Sequence, residues 1–189
     1  MANTNKSHRQ VQALCEGALM VALAQILGYL KFYRLPNGGS WTLIMFPICF
    51  YAVRWGVGRG LMAGFALGLL QLLLDGAYAW GWQSILYDYL LAYTALGLAG
   101  LFSGKKGGAF LGTLVGGLGR YFFAFLSGVT CWRITVPTQI PLLGTFDNAE
   151  VYSALYNGMY IVPCILLALI ATAVLYVPLK KYFLGQDIH

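Results

Sequence analysis

Six apolar stretches, Val11 to Leu30, Trp41 to Val53, Gly60 to Leu74, Ser84 to Phe102, Gly108 to Cys131 and Tyr152 to Pro178, leave little polar chain between them from which a water-soluble fold could build a surface. Of 189 residues, 59% are hydrophobic and 10% charged, against about 45–50% and about 25% in ordinary soluble domains. A soluble globule has no way to hide that much apolar surface, so the medium is lipid. Spans there need about 17–25 residues. The second and third stretches are short and are expected to tilt, extend at their ends or insert in partnership. The sequence therefore predicts an all-α integral membrane bundle of six transmembrane helices, forming a single domain over residues 1–189 of a multi-pass protein.

Positively charged flanks stay on the cytoplasmic side. Lys6, Arg9, Arg54, Arg59, Lys105, Lys106, Lys180 and Lys181 fall on one side, and only Lys31, Arg34 and Arg133 on the other. Both termini are thus expected inside, with residues 1–10 as an uncleaved cytoplasmic tail. Residues 31–40 and 132–151 become extracellular loops, whose side also carries Asp75, Asp147 and Glu150. Glycines at four-residue spacing, Gly56, Gly60, Gly64 and Gly68, then Gly108, Gly112 and Gly116, mark faces where helices approach closely. Pro47 and Pro163 interrupt helix hydrogen bonding and are expected to bend the second and sixth helices.

Several chemistries are absent from the pattern. The four cysteines, Cys15, Cys49, Cys131 and Cys164, are scattered through apolar stretches with no CxxC pair and no histidine cluster, so no metal site and no cofactor are implied. SGKKGG lacks the first glycine and the Ser or Thr of a phosphate loop, and no HExxH or GxSxG occurs. The excess of basic residues is distributed as membrane topology requires and does not call for nucleic acid. Binding, not catalysis, is the expected activity.

An ionised group inside a membrane span costs roughly 2.5–3.5 kcal/mol on insertion scales and marks function by default. Asp88 sits about one turn below the outer end of the fourth helix. At about 1.5 Å per helical residue, Gly128 and Trp132 on the fifth helix and Tyr152, Tyr156 and Asn157 on the sixth reach the same level, as does Tyr89. A carboxylate among electron-rich ring faces suits a flat cation, through charge pairing and cation–π attraction of roughly 0.5–2 kcal/mol per ring. Gly128 removes volume where such a ligand could lie. Arg120, deeper on the fifth helix, offers the competing arrangement, an internal salt bridge to Asp88.

RLPNGGSWTL after the first helix, LYDYLLAYTALGLAGLF, RYFFAFLSGVTCW and YSALYNGMYIVP, in this order and spacing, resemble the ThiT family, the thiamine-specific S-components of energy-coupling factor vitamin transporters. The likeness spans nearly the whole chain. It implies a bacterial cell-membrane protein that binds thiamine between helices 4, 5 and 6, with residues 31–40 as a lid. Asp88 takes the place of the acidic residue that holds the aminopyrimidine, with Tyr89 beside it. Arg120 falls where a basic residue is usual, Gly128 and Trp132 where ring-packing residues lie, Tyr152 and Asn157 where the pocket is completed, and Tyr78 as a further wall. Where the family often has a histidine, this sequence has Ala124, and Tyr156 or Tyr160 is the candidate substitute. Ala18 and Ala22 match the small-residue face with which such subunits dock on a transmembrane coupling subunit, itself linked to two ATPase subunits.

The implied function is high-affinity capture of thiamine for an energised importer embedded in membrane lipid. Two alternatives stand beside it at this stage. One is an S-component for another vitamin or a thiamine precursor. The other is an integral-membrane enzyme acting on a lipid headgroup with Asp88 as general base, for which the sequence offers neither a nucleophile nor a metal cluster.

Overall fold

The computed structural model describes residues 2–35, 39–74, 81–132, 138–140 and 143–187. Among them the helices are α1 (Ala2–Tyr29), α2 (Met45–Trp55), α3 (Val57–Leu74), α4 (Trp82–Phe102), α5 (Gly108–Trp132) and α6 (Ala149–Phe183). Two antiparallel hairpins join them: β1 (Tyr33–Arg34) with β2 (Ser40–Trp41), and β3 (Thr138–Ile140) with β4 (Gly144–Phe146). Five helices are long and apolar enough to cross a membrane, all but α2. The expected bundle of six helices is the observed architecture.

Its boundaries differ instructively. The polar first ten residues continue α1 as helix from Ala2, where a separate tail was expected. Trp41 pairs with Tyr33 in the first hairpin, so α2 begins only at Met45 and is 11 residues long. Pro47 then lies in the first turn, where backbone N–H groups have no intrahelical partner to lose, and the expected interruption does not arise. In α6 the backbone remains helical through Pro163, and the departure falls at Leu179 (φ −107°, ψ 15°), after Pro178.

The glycine faces pack α4 between α3 and α5. From Ala95 to Phe102 the helix tightens to the 3-10 form, in which residues three apart eclipse one another. Gly97 and Gly100 therefore face α3 in one line. A Cβ on Gly97 would meet the backbone of Gly60 and Leu61, and one on Gly100 the backbone of Gly56 and Val57. Gly64 and Gly68 lie likewise against the carbonyls of Tyr93 and Tyr89. On the other side, Gly112 and Gly116 approach the carbonyls of Ala99 and Leu96, with Cβ positions 2.6 and 2.8 Å away. Gly56 has a second role, since it closes α2 at φ +88°, where side chains other than glycine's are strained.

Backbone cannot yield as a side-chain tip can. Gly97→Val should cost about 3 kcal/mol or more, the upper end of overpacking penalties. The expected result is a melting temperature in detergent lower by roughly 10 °C, or no monodisperse protein at all. An unchanged melting curve would refute the close packing of α3 on α4.

At the end of the bundle away from the hairpins, Arg54 ties three segments together. Its side chain is 3% exposed, and it reaches Glu16 of α1 (Nε to Oε2, 2.7 Å) and Asp187 beyond α6 (Nη1 to Oδ1, 2.5 Å). Arg54 Nη1 also donates to the Tyr182 carbonyl, and Trp55 Nε1 donates to Glu16 Oε2 at 2.6 Å. Arg54 thus acts as an internal clamp, beyond its role as a flanking charge.

Candidate binding site

The first hairpin and the neighbouring helix ends border a cavity of about 150 Å³. It is lined by residues of five helices, Gly28 on α1, Gln71 on α3, Asp88 on α4, Arg120 on α5 and Asn157 on α6 among them, and by Ile44 just before α2. The wall of α4 is unusual. Residues Ile85–Leu91 form a π turn, in which the Ala92 N–H donates to the Tyr87 carbonyl five residues back. Such insertions widen a helix locally and cluster at functional sites. Here the turn carries Asp88 and Tyr89 to the cavity.

Asp88 is held by hydroxyls. Ser84 Oγ, one turn earlier, donates to Oδ2 at 2.7 Å, and Ser127 Oγ, across on α5, donates to the same oxygen at 2.6 Å. No donor to Oδ1 is present among the described residues. Arg120 also borders the cavity but takes another partner: Nη2 donates to the Tyr93 hydroxyl at 3.1 Å, with the guanidinium 4.4 Å from the Tyr93 ring centroid. The salt bridge to Asp88 weighed from the sequence is not formed.

On α6, Tyr152 and Tyr156 stack at 5.7 Å with rings 10° from parallel, and Tyr160 follows one turn on, 6.0 Å from Tyr156. All three line the cavity. Asn157 Nδ2 donates to the carbonyls of Ala124 (3.1 Å) and Ser153 (2.9 Å), while its Oδ1 accepts from Tyr160 at 2.9 Å. Its amide therefore joins α6 to α5 and fixes a tyrosine; the remaining lone pair on Oδ1 is what it has left for a ligand. Gly128 lines the cavity too, but a Cβ there would meet Ser153 Cβ at 2.6 Å. The space a Cβ would take there is filled by Ser153 of α6, so Gly128 lets α5 and α6 approach closely at the edge of the cavity.

Ala124 is buried beside the cavity, and Tyr160, one of its two candidate substitutes, is kept in place by Asn157 and by Gly39, where a Cβ would meet the ring at 2.6 Å. Tyr78 lies outside the described residues, and of Trp132, which ends α5, only the backbone is described. Sequence reasoning missed Ser84, Ser127, Gln71 and Tyr93. Faint signals existed for them: Ser84 precedes Asp88 by one turn, Ser127 adjoins Gly128, and Gln71 is the lone polar side chain in GLMAGFALGLLQLLL.

The hairpins cover the site. The Gly39 N–H donates to the Tyr156 hydroxyl at 3.3 Å, and Trp41 Nε1 donates to the Met159 carbonyl at 3.0 Å. Leu35 from the first loop and Ile140 from the second are both buried and join Tyr152 and Tyr156 in a small apolar core of their own. On the flank of the bundle, Ala18 and Ala22 are exposed and line an apolar groove of about 720 Å³ between α1 and α3. Ala13, Gly17 and Val21 line the same groove from buried positions and, with Ala24, supply the internal packing of α1.

A multi-pass bundle enclosing a carboxylate and tyrosines beneath two covering hairpins defines a membrane protein built to hold a small molecule. The chain belongs to the thiamine transporter protein family (Thia_YuaJ), whose model matches residues 14–184. It is 30% identical over 183 residues to the thiamine transporter ThiT of Bacillus subtilis, covering 89% of this chain and 92% of that one. It is 28% identical over 201 residues to ThiT of Lacticaseibacillus paracasei, covering 96% and 95%. The solved structure of ThiT from Listeria monocytogenes shares the fold, with a TM-score of 0.78 at 24% identity over 92% of this chain and 98% of that one. The relatives are named as transporters and not as enzymes.

Proposed function

We propose that the chain is the thiamine-capturing S-component of an energy-coupling factor importer, with Asp88, Tyr89, Arg120, Gly128, Tyr152 and Asn157 forming its site and Tyr78 and Trp132 completing the wall. The reading is carried by one observation: a carboxylate in an aromatic cavity has one oxygen on hydroxyls and, among the described residues, no ion pair. A permanently cationic heterocycle with a hydrogen-bonding amine supplies what that group lacks. The relatives' names point to the same ligand.

Binding alone shifts a conformational equilibrium only by differential affinity, so net uptake draws its energy from partners. The exposed groove at Ala18 and Ala22 is the surface for a transmembrane coupling subunit, which in turn engages two ATPases. In this arrangement both termini face the cytoplasm, the hairpins face outward, and residues 1–189 act as one domain. Small side chains let a partner helix approach closely.

Titration of the purified chain with thiamine, followed by heat and by tryptophan fluorescence, should show saturable one-to-one binding. Absence of both signals at micromolar protein would reject the reading. In the same series, Ala18→Trp with Ala22→Trp should retain that binding while cells expressing the variant lose accumulation of labelled thiamine. Undiminished accumulation would remove the groove from the transport cycle.

A further inference from the structure

The cavity holds opposite charges that do not meet. Asp88 and Arg120 both line it, no hydrogen bond joins them, and among the described residues the ion pairs within 4.0 Å are those of Arg54. Opposite charges in a cavity walled by low-dielectric protein and lipid attract far more strongly than in water, and an arginine side chain is long and jointed. Left to itself, the guanidinium would close on the carboxylate.

What holds it is a line of buried polar groups running through four helices. Tyr93 on α4 is 7% exposed; its ring lies under the guanidinium at 4.4 Å and its hydroxyl accepts from Nη2 at 3.1 Å. That hydroxyl in turn donates to Gln71 Oε1 on α3 at 3.4 Å, and Gln71 Nε2 donates to Gln25 Oε1 on α1 at 2.8 Å. Gln25 and Gln71 are 6% and 5% exposed. The arrangement leaves two buried donors without a partner among the described residues, Gln25 Nε2 at its far end and Arg120 Nη1 beside the cavity. A network serving stability alone would not leave a buried donor unpaired while a carboxylate stands in the same cavity, since an unmade buried bond costs more than a made one returns.

We propose that Tyr93, backed by Gln71, is a positioning residue that holds Arg120 off Asp88 and thereby keeps the carboxylate open to a cationic ligand. The proposal rests on the reading that this cavity binds thiamine. It makes Tyr93 a determinant of selectivity for cations through another side chain. When Tyr93 is lost, Arg120 pairs with Asp88 and becomes an internal competitor for the ligand's place.

A double-mutant cycle on the full chain in detergent tests it, with thiamine as titrant. Tyr93→Leu should weaken binding roughly ten- to hundredfold, the scale of a hydrogen bond to a charged group. In an Arg120→Met background the same change should have little effect, because no competitor remains. An equal loss in both backgrounds would overturn the proposal, since a merely structural tyrosine acts regardless of residue 120. Should Tyr93→Leu fail to fold, Gln71→Leu serves in the same cycle with a smaller expected loss. A structure of whichever variant folds reads the claim without ligand. Arg120 bonded to Asp88 is the expected result, and Arg120 unmoved would refute the holding role even if thiamine proved not to be the ligand. Absence of wild-type binding would instead reject the thiamine reading.

Discussion

Asp88→Asn should weaken thiamine binding by roughly 2–5 kcal/mol, about 30-fold to several thousandfold in Kd, the range for truncating one partner of a buried hydrogen-bonded charge pair. The substitution is nearly isosteric, and the amide oxygen can still accept from Ser84 and Ser127, which now hold Oδ2 at 2.7 and 2.6 Å. The cavity's shape is therefore kept while its charge is removed. For the same reason the ligand-free variant should melt no lower than the parent, because a carboxylate with no ion pair among the described residues is costly to keep inside a bundle. Calorimetric titration beside a melting curve separates the effects. Wild-type affinity in the variant would remove Asp88 from the site, and a collapse in melting temperature would reassign it to the fold.

Arg54→Met should lower stability by about 3 kcal/mol, at the low end for breaking a buried ion pair because Glu16 and Asp187 keep 27% and 25% of their side-chain surface exposed. For a chain of this size that corresponds to a melting temperature lower by roughly 6–12 °C in detergent. Arg54→Lys should recover only part of it, since an ammonium cannot fork into two carboxylates as the guanidinium does. The hydrogen bond from Arg54 holds the Asp187 carboxyl below the usual carboxylate range. A group depressed on folding contributes stability that is fully present above its unfolded pKa and is lost as pH falls through the folded value. Acidification below the ordinary carboxylate range should therefore erode the clamp, and Asp187→Asn should remove that part of the acid sensitivity. A melting temperature for Arg54→Met equal to the parent's would show that the clamp contributes nothing.

Much of this protein was legible because lipid imposes simple rules. Length and polarity placed the helices, four-residue glycine spacing marked the faces on which α3 and α5 pack, and Asp88 stood out because a carboxylate in a span needs a reason. What the sequence hid was geometry that composition does not encode. Nothing in ILYDYLL distinguishes a π turn from an α turn, and nothing in ALGLAGLF announces a 3-10 helix until its glycines are seen against α3. Ser84 and Ser127 were unremarked because serine is ordinary in membrane helices, and their value depends on meeting one oxygen from two directions. Glu16 and Asp187 come to Arg54 from 38 and 133 residues away, a convergence only tertiary structure makes. Asn157 was read as a ligand group from its depth, whereas its amide nitrogen bonds the Ala124 and Ser153 carbonyls.

The two hairpins come from opposite halves of the chain, yet Leu35 and Ile140 are buried in one cluster with the same pair of tyrosines. That shared apolar seam ties the two hairpins to one pair of rings on α6, so a change at either side chain is felt by both loops. Alterations at that junction are thus expected to act on the rates of entry and exit, because Leu35 and Ile140 are not among the residues lining the cavity.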